Sequence, residues 1–219
     1  MTRVKICGIR DEIQALAAVG AGADFIGVVF APSQRQVSPA KAREIANAVR
    51  ESGHPDYIGT EVVGVFVNMP ASEVNEIADY CPVDWVQLSG DESWEYCQEL
   101  KKAIIKVIHV FSGQKTDEIL ANIETGYQLL AEKRLVCLLD SRVEGAYGGT
   151  GQVFNWQLAR EISARFPVMI AGGLTPANVG QLVKEVKPWG VDVSTGVETN
   201  GLKDASKIRA FVKAVRSTQ

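Results

Sequence analysis

Leu135–Gly151 reads LVCLLDSRVEGAYGGTG. Five apolar residues, Leu135 to Leu139, run into an acid, Asp140. A loop then carries Gly145, Gly148, Gly149 and Gly151 before a helical pattern resumes near Asn155. A short leucine and β-branched run bounded by turn residues reads as a buried strand, and the glycines that follow let backbone approach a ligand closely. A carboxylate next to such a run needs a partner or a function. The same letters also fit an Asp that merely forms the turn.

Outward from this stretch the same unit recurs. Apolar runs at Val4–Cys7, Phe25–Phe30, Val62–Val67, Asp84–Leu88, Ile104–Val110, Leu135–Leu139, Val168–Ala171 and Val191–Ser194 read as strands. Helical periodicity fills 11–20, 39–51, 71–80, 93–102, 116–131, 155–165, 176–186 and 203–216, with Ser38-Pro39 and Thr175-Pro176 as starts. Eight strand–helix units imply a parallel sheet buried on both faces. In a chain of 219 residues they predict an α/β fold, a single (β/α)₈ TIM barrel spanning 1–219. The alternative, an open doubly wound sheet, normally carries a GxGxxG turn after its first strand, and here that turn reads CGIRDE.

Composition narrows the function classes. With 46% hydrophobic and 22% charged residues and a net charge of -3, the chain has neither the basic balance of a nucleic-acid binder nor an apolar run long enough to cross a bilayer. The first residues, MTRVKICG, show no signal-peptide layout, so a cytoplasmic protein is expected. Cys7, Cys81, Cys97 and Cys137 are widely spaced with no CxxC pair and read as free thiols; no metal ligand set stands out.

In a (β/α)₈ barrel, chemistry belongs where strands end and loops begin. The exits carry Cys7-Gly8, a loop with Arg35, Asn68, Gln87 to Gly90, His109, Asp140, Gly172-Gly173 and Ser194-Thr195-Gly196. The seventh and eighth, AGGLTPANV and DVSTGVETNG, are small-residue turns ahead of expected helices, suited to holding one phosphate on backbone N–H groups. Lys184 and Lys187 fall late in helix seven and cannot supply the charge. Gly172-Gly173 as a plain tight turn is the simpler reading.

Cys7 and Asp140 come from strands one and six and are expected to face each other across the barrel mouth. A thiol and a carboxyl with no imidazole or metal point to proton transfer, one accepting and one donating; Cys7 as an inert buried thiol is the alternative. Arg35 presents a fork that matches a carboxylate, or else is a solvated surface residue. Lys5 shares a strand face with Cys7 and needs a partner, for which Asp192 on strand eight is the candidate.

Taken together, VKICGIR, GVVFAPSQRQVS, VGVFVN, VQLSGDE, LLDS with GGTGQVFNW, AGGLTPANV and VDVSTGVE resemble the phosphoribosylanthranilate isomerase family over essentially the whole chain. The resemblance implies an Amadori rearrangement of N-(5-phosphoribosyl)anthranilate to 1-(2-carboxyphenylamino)-1-deoxyribulose 5-phosphate, a step of tryptophan biosynthesis that needs no cofactor. It implies Cys7 as general base, Asp140 as general acid and Arg35 as holder of the anthranilate carboxylate. Phosphate loops fall at Gly172, Gly173, Thr195 and Gly196, and Gln87, Asp192 and Ser194 are the further substrate-binding candidates. The expected partner is thus a small-molecule substrate, with no nucleic acid or membrane, bound by a monomer or homodimer.

Three positions depart from the family pattern. Ser89 stands where QLHG has its histidine, Ser33-Gln34-Arg35 replaces SPR, and Phe154-Asn155-Trp156 replaces FDW. For the assigned roles, Asp140 must be protonated and Cys7 a thiolate in the productive complex, with Lys5 expected to favour the thiolate. A histidine-pathway or dual-substrate isomerase barrel and a non-catalytic phosphosugar-binding barrel are the competing readings.

Overall fold

Eight parallel strands close on themselves in sequence order. They are β1 (Arg3–Cys7), β2 (Phe25–Val29), β3 (Glu61–Phe66), β4 (Trp85–Leu88), β5 (Ala103–Val110), β6 (Leu135–Ser141), β7 (Val168–Ile170) and β8 (Gly190–Val193). Between and after them lie α1 (Glu12–Ala21), α2 (Pro39–Glu51), α3 (Ala71–Tyr80), α4 (Trp94–Gln98), α5 (Thr116–Leu129), α6 (Trp156–Ser163), α7 (Val179–Val186) and α8 (Ala205–Arg216). The computed structural model describes residues 1–52, 59–111, 113–141 and 156–218. Gly145, Gly148, Gly149, Gly151 and Asn155 lie outside the described residues.

The period-two alternation of each strand divides its side chains between two cores. Val4, Ile6, Ile104, Ile108, Leu139, Ile170 and Val191 face outward under the helices. Phe25, Val63, Trp85, Ile105, Val107, Val136, Leu138, Met169 and Ala171 fill the cylinder, so it is a packed interior rather than a pore. At the C-terminal end the inward series turns polar, as Cys7, Gln87, His109, Asp140 and Asp192 take the same parity one step further along β1, β4, β5, β6 and β8. Sheet register aligns these groups: Lys5 pairs with Asp192, Cys7 with Gly27 and His109 with Asp140.

Helix starts follow local chemistry. Asp11 caps α1 by accepting from Gln14 N, Ser38 caps α2 with Pro39 in its first turn, and Asp204 caps α8 through Ser206 N and Lys207 N. Most boundaries shift by a residue or two from the sequence reading, and four differences are more than that or bear on the exits. β6 continues through Asp140 to Ser141, because its ladder with β5 extends to Val110. The fourth helix is shorter, Trp94–Gln98. α7 begins at Val179 rather than at Pro176, since Asn178 ties the loop together by accepting from Thr175 N and donating to Gly173 O. After β8 the chain makes a 3₁₀ turn (Thr195–Val197) and a hairpin of β9 (Glu198–Thr199) and β10 (Leu202–Lys203) before α8. The eighth exit therefore does not run straight into a helix.

Candidate active site

The barrel mouth holds a cavity of about 440 Å³. Cys7, Arg35, Gln87, Asp140, Gly172, Gly173, Asp192, Ser194 and Thr195 all line it. The parallel sheet explains the convergence, because every inward side chain at a strand's C-terminal end points to one axis. Gly196 is the exception among the sequence candidates. It packs behind the wall, where a Cβ would meet the Leu174 carbonyl group, 2.9 Å from its carbon, and Thr175 Cα at 3.2 Å. The seventh and eighth exits approach too closely there to admit a side chain. Gly172 and Gly173 adopt φ of 90° and 65°, left-handed conformations that a side chain would strain.

Lys5 is fully buried beneath Cys7 and makes an ion pair of 3.0 Å with Asp192. Burial alone would lower the ammonium's pKa, but Asp192 and then Cys7 outweigh it and the net shift is upward. Lys5 is thus favoured as a cation below the Cys7 thiol. Cys7 shows the opposite balance: burial raises its thiol, Asp192 adds to the rise, and the pull of Lys5 and the more distant Lys203 toward thiolate does not overcome them. Lys5 does pull toward the thiolate, as expected, but with no substrate bound burial outweighs that pull and Asp192 adds to the opposition.

Gln87 is 5% exposed; its Nε2 donates to Ser89 Oγ, whereas its Oε1 has no partner among the described residues. A buried unpaired amide oxygen costs about 1–3 kcal/mol unless something donates to it. Since Gln87 lines the cavity, an incoming N–H or O–H is the natural donor. His109 lines the same quadrant from β5, its Nε2 3.2 Å from Ser89 O. The neighbouring strand thus supplies an imidazole beside the serine that replaces the family's histidine.

Arg35 sits on a loop held without the missing proline. Gln36 bridges to Val29 and donates to Phe30 O, Val37 N donates to Val29 O, Arg35 N donates to Ser33 Oγ, and Arg10 donates to Gln34 O. The guanidinium does not stand alone. Its Nε and Nη2 donate to the two carboxylate oxygens of Glu198 at 2.7 and 2.9 Å. Lys203 Nζ donates to the same carboxylate at 2.6 Å and to Ser194 O at 3.0 Å. Sequence reasoning missed Glu198 and Lys203, which two-residue strands bring together; no periodicity marks a hairpin that short.

Lys184 and Lys187 line a separate concavity with Met1, Thr2 and Trp189, at the opposite end of the barrel. The site as a whole offers a thiol and a carboxyl for proton transfer, a cationic fork, an amide acceptor and two glycine-rich turns. No helix among the described residues is long and apolar enough to cross a membrane.

Comparison with known proteins agrees with this arrangement. The family model for N-(5'phosphoribosyl)anthranilate (PRA) isomerase matches residues 4–214. A relative from Dehalococcoides mccartyi named N-(5'-phosphoribosyl)anthranilate isomerase is 47% identical over 216 residues, covering 99% of this chain and 96% of its own. One from Roseiflexus with the same name is 44% identical, covering 99% of each. The phosphoribosyl anthranilate isomerase structure from Thermotoga maritima superposes with a TM-score of 0.83 at 34% identity, over 99% of this chain and 100% of that one. A structure of such an isomerase in complex with reduced 1-(o-carboxyphenylamino)-1-deoxyribulose 5-phosphate gives 0.77 at 34% identity, with coverage of 99% and 100%.

Proposed function

Because the chain belongs to the N-(5'-phosphoribosyl)anthranilate isomerase family, it converts N-(5-phosphoribosyl)anthranilate into 1-(2-carboxyphenylamino)-1-deoxyribulose 5-phosphate in tryptophan biosynthesis, and we propose that Cys7 and Asp140 carry its two proton transfers. One observation supports this assignment above others: Cys7 from β1 and Asp140 from β6 line the same cavity, with Gly172, Gly173, Ser194 and Thr195 on its wall.

In the first step Asp140 gives its proton to the furanose ring oxygen. The C1–O bond breaks as the anthranilate nitrogen's lone pair forms C1=N, so the substrate supplies its own electron sink. Cys7 then takes the proton from C2. The C–H electron pair forms C1=C2 and the C=N pair returns to nitrogen, giving an enolamine. Its C2 hydroxyl loses a proton while C1 gains one, and the ketose results. Neither transfer needs a nucleophile or an external acceptor of electrons, which matches the residue types present.

The remaining residues bind and orient. Arg35 takes the anthranilate carboxylate, and backbone N–H groups of Gly172-Gly173 and Ser194-Thr195 take the phosphate, with Gly196 keeping those turns together. Gln87 Oε1 accepts from the substrate's amine or a ribose hydroxyl. Asp192, held by Lys5, borders the thiol. The whole chain, 1–219, acts as one catalytic unit in the cytoplasm, on a small molecule and without nucleic acid or membrane, as a monomer or homodimer. The test is fluorescence-monitored turnover of freshly made phosphoribosylanthranilate by the wild type, Cys7→Ser and Asp140→Asn. Near-full turnover by either variant removes that residue from its role.

A further inference from the structure

The Arg35 guanidinium has five N–H donors, and Glu198 takes one on Nε and one on Nη2. A planar fork held along one edge presents its other edge, Nη1–Nη2, in a fixed direction. We propose that Glu198 is a positioning residue that sets which edge of Arg35 receives the substrate's carboxylate, and thereby selects substrates that carry one. The inference rests on the reading that Arg35 binds this carboxylate.

Glu198 is built to stay in place. Its side chain is 8% exposed, and that of Lys203, which also holds it, is 1% exposed. Its own backbone oxygen accepts from Lys207 Nζ at 2.6 Å, and the hairpin that carries it is fastened where Asp204 N donates to Val197 O. Burial would raise the Glu198 carboxyl, but Arg35 and Lys203 outweigh it and hold the pKa at about 2, so the group is an anion at any working pH. Arg35 is confined from the other side as well. Its Cδ lies where a Cβ on Gly8 would stand, and Gly8 has a φ of 82°. The loops after β1, β2 and β8 thus clamp one side chain between them.

Charge points the same way. Arg35 and Lys203 against Glu198 leave one net positive charge beside the cavity, which a single substrate carboxylate neutralises. Were the substrate to displace Glu198 from Arg35 instead, a buried carboxylate would lose its bidentate partner, a costly exchange. Holding the guanidinium, rather than yielding it, is the arrangement the contacts favour.

The experiment measures kcat and KM of the wild type, Glu198→Gln, Glu198→Asp and Arg35→Ala with two substrates, phosphoribosylanthranilate and N-phosphoribosylaniline, which lacks the carboxylate. Glu198→Gln is expected to raise KM for phosphoribosylanthranilate about tenfold, the scale of one charge-assisted contact, with kcat changed less than about twofold. For N-phosphoribosylaniline the rise in KM should be clearly smaller, since only the turn that Lys203 holds at Ser194 is disturbed. Glu198→Asp, which keeps the charge but shortens the reach, should fall between the wild type and Glu198→Gln, and it decides the question if Glu198→Gln does not fold. Equal effects on both substrates, no effect, or a lowered KM would overturn the proposal, the last by showing that Glu198 competes with the substrate. Arg35→Ala separates the two layers. If it fails to distinguish the substrates, the reading of Arg35 falls; if it distinguishes them and the Glu198 variants do not, only the role of Glu198 falls.

Discussion

Lys5→Met removes the cation beneath the Cys7 thiol and strands Asp192. The pair is 3.0 Å long, with side-chain exposures of 0% and 10%, so water reaching Asp192 from the cavity replaces only part of the lost partner. Breaking a buried pair from one side costs about 3–5 kcal/mol. At roughly 2–4 °C per kcal/mol for a chain of this size, Tm should fall by about 6–20 °C. Removing both charges in Lys5→Met/Asp192→Asn should cost less than Lys5→Met alone, because no charge is then left buried without a counterpart. The coupling in a double-mutant cycle is expected to exceed about 2 kcal/mol. The same substitution deletes the strongest pull toward thiolate at Cys7, so the thiol's pKa should rise further. Iodoacetamide alkylation followed against pH reads this out, since Cys7 is 9% exposed while Cys81, Cys97 and Cys137 are 0%. Urea or thermal unfolding reads the stability. A loss below about 1 kcal/mol for Lys5→Met, or additivity in the cycle, would refute the view that the two charges depend on each other.

Further outcomes follow from the same geometry. Cys7→Ser and Asp140→Asn should each lower kcat about 10²–10⁴-fold with KM little changed, the usual weight of one proton-transfer group. Gly196→Ala should lower stability by about 1–3 kcal/mol and raise KM, because the new methyl meets rigid backbone at Leu174 and Thr175 and forces the seventh and eighth exits apart; inorganic phosphate should also become a weaker competitive inhibitor. The Glu198 carboxyl is held below its ordinary value, so its contribution to stability is complete above about pH 4.3 and is lost as pH falls toward about 2. Acid unfolding followed by circular dichroism over that window should be shallower in Glu198→Gln than in the wild type.

Much of the fold was legible because buried parallel strands have a strong signature. Leu135–Leu139 and Ile104–Val110 could hardly be anything else, and eight such runs alternating with helical periods left few topologies. The position of Cys7, Gln87 and Asp140 at strand exits followed from that pattern without further input. What stayed hidden depends on contacts between distant segments. The hairpin from Glu198 to Lys203 has no apolar alternation to announce it, and its partner Arg35 lies 163 residues away along the chain. The start of α7 was misplaced because Thr175-Pro176 resembles a helix start, while the side chain of Asn178 organises those residues as a loop. Lys5 beside Cys7 was legible from the strand pattern, but how strongly burial and Asp192 oppose its pull on the thiol depends on packing and distance.

The central claim is a division of labour in which Asp140 opens the ring and Cys7 removes the C2 proton. Turnover of phosphoribosylanthranilate carrying deuterium at ribose C2, compared with the protiated substrate in Cys7→Ser and Asp140→Asn, tests it most directly. In Cys7→Ser, where C2 deprotonation becomes the slow step, deuterium should slow turnover severalfold; in Asp140→Asn, limited by ring opening, the two substrates should turn over at nearly equal rates. The reverse pattern, or the same isotope effect in both variants, would contradict the assignment.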